Sequence, residues 1–136
     1  MRIWLWGRLR EERGSSLVEG LLALGLVVLV VVIGVEGFAY MQARSVATAA
    51  AQDGAETAAT GGPAAGLARA SQVLAAGGGA SRQLSPAVAE DSATVTVTIS
   101  GKAPSVFSLG MLLPAVQASA TLPLEQYAAD EQAVTP

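Results

Sequence analysis

The chain has 136 residues, of which 51% are hydrophobic and only 4% aromatic, and its formal net charge is −3 with neither Cys nor His. The missing residue types exclude disulfides, thiol chemistry and a histidine general base, and they remove the usual zinc ligands. Half of the cations lie within the first 14 residues, so the rest of the chain is more acidic than the net charge indicates. This acidic charge argues against binding to the phosphate backbone of nucleic acid.

Residues 1–14 carry four Arg side chains, and we interpret them as a basic leader. The uncharged run "GLLALGLVVLVVVIGV" then separates Glu19 from Glu36, within an apolar stretch over 17–41. About 20 apolar residues in a helix cross a bilayer, so this stretch predicts a transmembrane segment. The positive-inside rule places the leader in the cytoplasm and the carboxyl-terminal part outside, because the next cation is the lone Arg44.

A cleaved secretory signal is the alternative for this region, because the small residues "VATAA" at 46–50 follow the apolar run. The run is longer than the apolar part of such signals, and Glu36 interrupts the approach to that cleavage site. We therefore favour a membrane anchor.

The helix is predicted to continue beyond the membrane, so that one helix covers 15–60. No Pro interrupts its second half, where Ala, Gln, Arg, Met and Glu favour helix. Small side chains at every fourth position predict close packing against partner helices, with chance as the alternative in so Ala-rich a stretch. These positions are Ala39, Ala43, Ala47, Ala51, Ala55 and Ala59.

Gly61-Gly62-Pro63 is expected to end this helix and to begin a small module over 61–136. Pro63 suits the first turn of a second helix that ends before Gly77-Gly78-Gly79, a triplet that we interpret as a linker. The face of this helix that we expect to be buried consists of Leu67, Ala70 and Leu74.

Two alternating segments predict a small antiparallel sheet with one apolar face. In "ATVTVTIS" (93–100), Ala93, Val95, Val97 and Ile99 point one way, and "AVQASATL" (115–122) alternates similarly. Residues 80–92 are predicted to form a loop, and the tail "EQYAADEQAVTP" (125–136) is expected to fray. The fold class is therefore α+β.

Ser16 and Glu19 have the S-x-x-E spacing of a helix-starting capping box. That interpretation leaves the cations up to Arg13, Gly14 and the adjoining apolar run unexplained. Gly14 followed by "SSLVE" and a long apolar helix resembles the processing signal of type IV prepilins. The resemblance implies cleavage between Gly14 and Ser15 by a membrane-embedded prepilin peptidase, with the leader in the cytoplasm.

The wider stretch 13–59 resembles the TadE-like minor pilins of tight adherence (Flp-type) pilus systems. The features that carry the resemblance are an acid near each end of the membrane helix and an Ala-rich continuation, here with Glu36, Tyr40, Arg44 and Asp53-Gly54-Ala55. The segments "VTVTISGKAP" and "ASATLPLEQY" also resemble the strand pair of such proteins. The resemblance implies a structural subunit that works with other pilins and an assembly platform, and it implies no cofactor.

Glu19 is the residue to which the resemblance gives an assembly role, since a carboxylate at the apolar end of a membrane helix is costly and typically functional. In that family the equivalent Glu is thought to pair with the new amino terminus of a neighbouring subunit, here that of Ser15, and so to set axial register. Glu36 is expected at the membrane interface near Phe38 and Tyr40. A second assembly contact of Glu36 is the alternative to a solvated position.

Enzyme functions find little support in the sequence. The chain has a single lysine, Lys102, and no nucleophile-elbow, Walker or dinucleotide-binding pattern. Gly77-Gly78-Gly79 follows a helix rather than a strand, and Glu90-Asp91 is expected to be solvated rather than to hold a cation. The sequence therefore predicts a non-enzymatic membrane protein, either a processed minor pilin or an unprocessed single-pass protein with an outer binding or accessory module. A small protein released by signal peptidase is the third hypothesis.

Overall fold

The computed structural model describes the backbone of residues 4–124 and the side chains of residues 15–124. The elements follow in the order α1 (Trp4–Gly61), α2 (Pro63–Ala76), a 3₁₀ turn (Gly78–Ser81), β1 (Leu84–Glu90), β2 (Thr94–Gly101), a second 3₁₀ turn (Leu109–Leu112) and β3 (Val116–Pro123). This arrangement confirms the predicted α+β fold. The tail that was expected to fray lies outside the described residues.

Helix α1 is 58 residues long and begins at Trp4, earlier than the predicted start at Ser15. The leader contains no Pro and is rich in Leu, Arg and Glu, which are good helix formers, and its two glycines, Gly7 and Gly14, are too weak as breakers to interrupt the helix. Ser16 therefore lies inside the helix. The backbone amides that a capping box would satisfy at a helix start are here in the helix interior. The capping-box interpretation is therefore wrong for the uncleaved chain, in which residues 4–14 continue the helix.

The predicted helix break is confirmed at Gly61-Gly62-Pro63. Gly62 has φ 88°, a left-handed conformation that favours glycine, and its amide donates to the Ala58 carbonyl at 2.9 Å. Pro63 occupies the first turn of α2. The chain thereby turns back, so that α2 packs beside α1.

The buried face of α2 differs from the predicted one. Gly66, Ala70 and Leu74 are buried, whereas Leu67 is exposed. The close approach of α1 explains the difference, because only a residue without a side chain fits at the position of Gly66.

The sheet has three antiparallel strands in the order β1-β2-β3. The predicted β2–β3 pair is confirmed, with Val97 opposite Ala120. The predicted loop over 80–92 is wrong, because Leu84–Glu90 pairs along its whole length with β2. Pro86 and the scarcity of β-branched residues conceal this strand, and its edge position tolerates a proline.

The core of the module lies between the sheet and the second half of α1. Val95, Val97 and Ile99 are fully buried on the inner face of the sheet, as predicted, while Ala93 lies before the strand and is exposed. The α1 contribution consists almost wholly of alanines, so the sheet and α2 approach the α1 backbone closely. Residues 15–31 of α1, by contrast, are all exposed.

Candidate functional site

Residues 17–35 of α1 present an uncovered apolar surface. Every large apolar side chain described from Leu17 to Val31 is more than half exposed, and Ile33 and Val35 continue the run. The helix is long and apolar enough to span a membrane, and its most apolar 18-residue window has a mean hydropathy of 2.8 with none of it buried. Exposure of so large an apolar area to water is unfavourable, and lipid or other apolar helices would relieve this cost.

Glu19 lies near the start of this apolar surface, and its side chain is exposed. Within residues 15–124, no side chain forms a hydrogen bond or ion pair with its carboxylate. Ser15 lies one helical turn before it, and the Gly14–Ser15 bond lies within the continuous helix. The structure thus places Ser15, on the carboxyl side of the predicted cleavage position, and the predicted register residue Glu19 on one exposed stretch of helix.

Glu36 lies at the other end of the apolar run and is only 3% exposed. Its Oε1 atom accepts hydrogen bonds from the Ser105 hydroxyl at 3.1 Å and from the Phe107 backbone amide at 2.5 Å. Its Oε2 atom is buried and has no hydrogen-bond partner among the described residues. The expectation of a solvated or intersubunit position for Glu36 is therefore corrected, since this carboxylate holds the β2–β3 connection against α1.

Tyr40 and Arg44 follow Glu36 at one-turn intervals but have different surroundings. Tyr40 is half-buried against the module core, whereas Arg44 and the neighbouring Phe38 are exposed. The structure does not bring Glu36, Tyr40 and Arg44 into a shared polar site. An exposed Phe38 at this level suits the boundary between lipid and water.

The alanines predicted to pack closely do so, but within the chain itself. Ala43, Ala47, Ala51 and Ala55 are buried against α2 and the sheet, and Ala39 and Ala59 are half-buried. The prediction of partner helices as their contact surface is therefore replaced by an intramolecular contact. Small residues indicate that another backbone packs closely against the helix, but they do not indicate which backbone it is.

Asp53-Gly54-Ala55 marks the crossing of α1 and α2. A Cβ atom added at Gly54 would lie 3.0 Å from the Ala70 Cβ, and one added at Gly66 would clash with the Ala58 Cβ. Asp53 forms an ion pair with Arg69 at 2.9 Å beside this crossing. The Asp53-Gly54-Ala55 segment therefore has a structural function. Gly54 and Gly66 allow the two helices to pack in contact, and the ion pair flanks this contact.

The connection between β2 and β3 is a feature that the sequence analysis did not single out. Its exposed apolar side chains are Val106, Phe107, Met111 and Leu112. Lys102, Ser105 and Met111 line a shallow depression at its base. The segment "VFSLGMLLP" would have drawn attention as an apolar loop between two strands.

Among the described side chains, residues 15–124, no group of three or more His, Cys, Asp or Glu is arranged to hold a metal ion. The acids Glu90 and Asp91 lie at the turn between β1 and β2, where both are exposed. The chain matches no protein-family model, and neither a curated protein nor a solved structure matches it.

Proposed function

We propose that this protein is a minor pilin or pseudopilin, a membrane-inserted structural subunit that prepilin peptidase cleaves after Gly14. It is then added to, or primes, a pilus of the tight adherence type that serves adhesion or secretion. The observation that carries the proposal is the uncovered apolar half of α1 with Glu19 at its start, continuous with a second half that forms the core of the module.

In this account, the uncovered part of α1 lies first in the membrane and then in a fibre. In the membrane, lipid surrounds it, with the leader cytoplasmic and the module outside. In a fibre, the same apolar surface packs against the helices of neighbouring subunits. A helix covered by its own module on this half could do neither.

Glu19 supplies register in the proposed fibre. A carboxylate among apolar helices is costly to leave unpaired, and removal of one partner from a buried ion pair costs about 3–5 kcal/mol. Cleavage after Gly14 creates an α-amine on Ser15, and a neighbouring Glu19 pairs with it only at one axial offset. The absence of an intramolecular partner for Glu19 over residues 15–124 leaves the carboxylate available for such a contact.

The continuity of α1 connects assembly to the module. Ala43, Ala47 and Ala51 belong to the same helix as Glu19 and are buried in the module core. Displacement of the helix along its axis therefore carries the module with it. This property suits a subunit that is extracted from a membrane and stacked into a fibre.

An unprocessed single-pass protein with an accessory module is the second candidate. The observation in its favour is that α1 runs without a break from Trp4 through Gly14, so the leader and the membrane segment form one helix. Release by signal peptidase at 46–50 is disfavoured, because it would cut through the core between the buried Ala43 and Ala51.

Glu19→Ala tests the assembly role. We expect the variant to insert in the membrane normally but to fall about tenfold or more in sheared surface material, because the register contact is lost. Glu56→Ala is the matched control, since Glu56 is an exposed acid of the same helix within the module. Normal incorporation of Glu19→Ala would contradict the role of Glu19.

A further inference from the structure

The apolar loop, defined as residues 105–113, is exposed to an unusual degree for its composition. Met111 is 91% exposed and Leu112 81%, and Val106 and Phe107 are also exposed. A cluster of large apolar side chains at the tip of one loop marks an interaction site more often than does a scattered surface leucine. The question is which surface this loop contacts.

Glu36 fixes the position of the apolar loop along the axis of α1. Ser105 and Phe107 both donate hydrogen bonds to the Glu36 carboxylate, so the loop lies beside the end of the apolar run. Glu19 and Glu36 are about 26 Å apart along the axis at 1.5 Å per residue, against a hydrocarbon core of about 30 Å. A helix that spans the bilayer with this run therefore holds the loop at the boundary between acyl chains and headgroups.

The charges of the module are separated along the same axis. Lys102 lies three residues before the apolar loop. Arg82 lies two residues before Leu84, the end of β1 that pairs with Gly101, and Arg44 lies about two turns beyond Glu36. Three of the four cations beyond Glu36 thus lie at the end of the module that adjoins the apolar run, whereas the fourth, Arg69, is paired with Asp53. The exposed or half-buried acids of the module lie farther along α1 or at the opposite end of β1, and they are Asp53, Glu56, Glu90 and Asp91.

We propose that the apolar loop is a second membrane contact, which inserts Phe107, Met111 and Leu112 into the leaflet that borders the module. The occupant of this surface is the same phospholipid bilayer that α1 crosses, and the nearby cations lie against its anionic headgroups. Apolar side chains beside basic residues are the composition by which protein segments bind at a membrane interface. This inference rests on the proposed membrane insertion of α1.

Insertion of the loop has a consequence for orientation. One membrane-spanning helix leaves a module free to rotate about the helix axis and to tilt. A second contact at the lipid surface, tied to α1 through Glu36, fixes which face of the sheet points away from the membrane. The loop must leave the lipid when the subunit is extracted.

Depth-dependent fluorescence quenching tests this proposal on the full chain. The protein has no Cys, so single cysteines introduced as Met111→Cys, Val30→Cys and Gln52→Cys can each carry an environment-sensitive fluorophore. The labelled proteins are reconstituted in vesicles of phosphatidylcholine and phosphatidylglycerol that contain nitroxide-labelled lipids. Met111 and Gln52 are exposed, so neither label displaces a core contact.

We expect lipid nitroxides to remove most of the fluorescence at positions 111 and 30, and little at position 52, about 24 Å beyond Glu36 along α1. Quenching at position 30 without quenching at 111 would overturn the loop contact and leave the membrane insertion of α1 standing. Absence of quenching at 30 would contradict insertion itself, and the loop proposal with it. A label at 111 that is shielded from both lipid nitroxides and aqueous iodide would be covered by protein, which also overturns the proposal.

Discussion

The backbone amide of Phe107 donates a hydrogen bond to the Glu36 carboxylate, so the β2–β3 connection is fastened to α1 where its uncovered apolar half ends. Glu36 is buried, and its Oε1 atom accepts both this hydrogen bond and one from the Ser105 hydroxyl. The contact joins the segment proposed to lie in the membrane to the module proposed to lie outside it.

Glu36→Ala is expected to free this loop without unfolding the module. The substitution leaves two donors without their acceptor, and an unsatisfied buried polar group costs about 1–3 kcal/mol unless water reaches it. We expect faster hydrogen exchange at the Phe107 amide, while amides of β2 keep their protection. Glu36→Gln is the control because its amide oxygen still accepts, and equal protection of Phe107 in Glu36→Ala would argue against the contact.

Gly66→Ala and Gly54→Ala are expected to destabilise the module by forcing the two helices apart. A Cβ at Gly66 would meet the Gly54 carbonyl oxygen at 2.6 Å, a contact with backbone that cannot rotate away. Overpacking typically costs about 1–3 kcal/mol, and we expect Gly66→Ala to be the more severe change. Thermal unfolding in detergent measures the difference.

Gly37→Ala is the matched control for the helix crossing. A Cβ at Gly37 meets nothing within 4 Å, so only the helix preference of alanine changes, a gain of about 1 kcal/mol. An unfolding temperature that falls equally in Gly37→Ala and Gly66→Ala would show that the close approach of α2 is not the cause.

Asp53→Asn is expected to have a small effect on stability despite the 2.9 Å ion pair with Arg69. Both side chains are more than two-fifths exposed, so solvent screens the pair and its contribution is about 1 kcal/mol or less. A double-mutant cycle with Arg69→Gln, measured by unfolding at low and high salt, checks this value. A coupling of several kcal/mol, or one that salt does not weaken, would contradict the assignment.

Gly14→Leu is expected to block maturation and leave a protein that keeps residues 1–14. The bulky side chain occupies the position after which the peptidase is proposed to cut, whereas the helix tolerates leucine well. Intact mass of the protein from its own host, or from cells that express a prepilin peptidase, measures the outcome. Gly20→Leu is the control beyond the cleavage position, and an unchanged mature mass in Gly14→Leu would oppose peptidase processing.

Strict local patterns predicted their elements well. The alternation in "TVTVTIS" identified β2 because the inner positions Val95, Val97 and Ile99 all face one packed layer. Gly61-Gly62-Pro63 located the turn between the helices because Gly62 needs a left-handed backbone and Pro63 a helix start. Both signals depend only on the residues themselves.

Features that depend on distant contacts were missed. Strand β1 carries Pro86 and alternates weakly, so only its pairing with β2 reveals it. The alanines of α1 indicated a close neighbour, but nothing local distinguished a second chain from α2. Glu36 was expected at the membrane interface, and its burial was missed because Ser105, one of the two donors to its carboxylate, is 69 residues away along the chain.

The amino-terminal sequence of the protein, taken from membranes and from sheared surface material of its own host, tests the central claim most directly. The account predicts a start at Ser15, with the new α-amine available to the Glu19 of a neighbour. A start at Met1 in every fraction would contradict it and would leave an unprocessed single-pass membrane protein in its place.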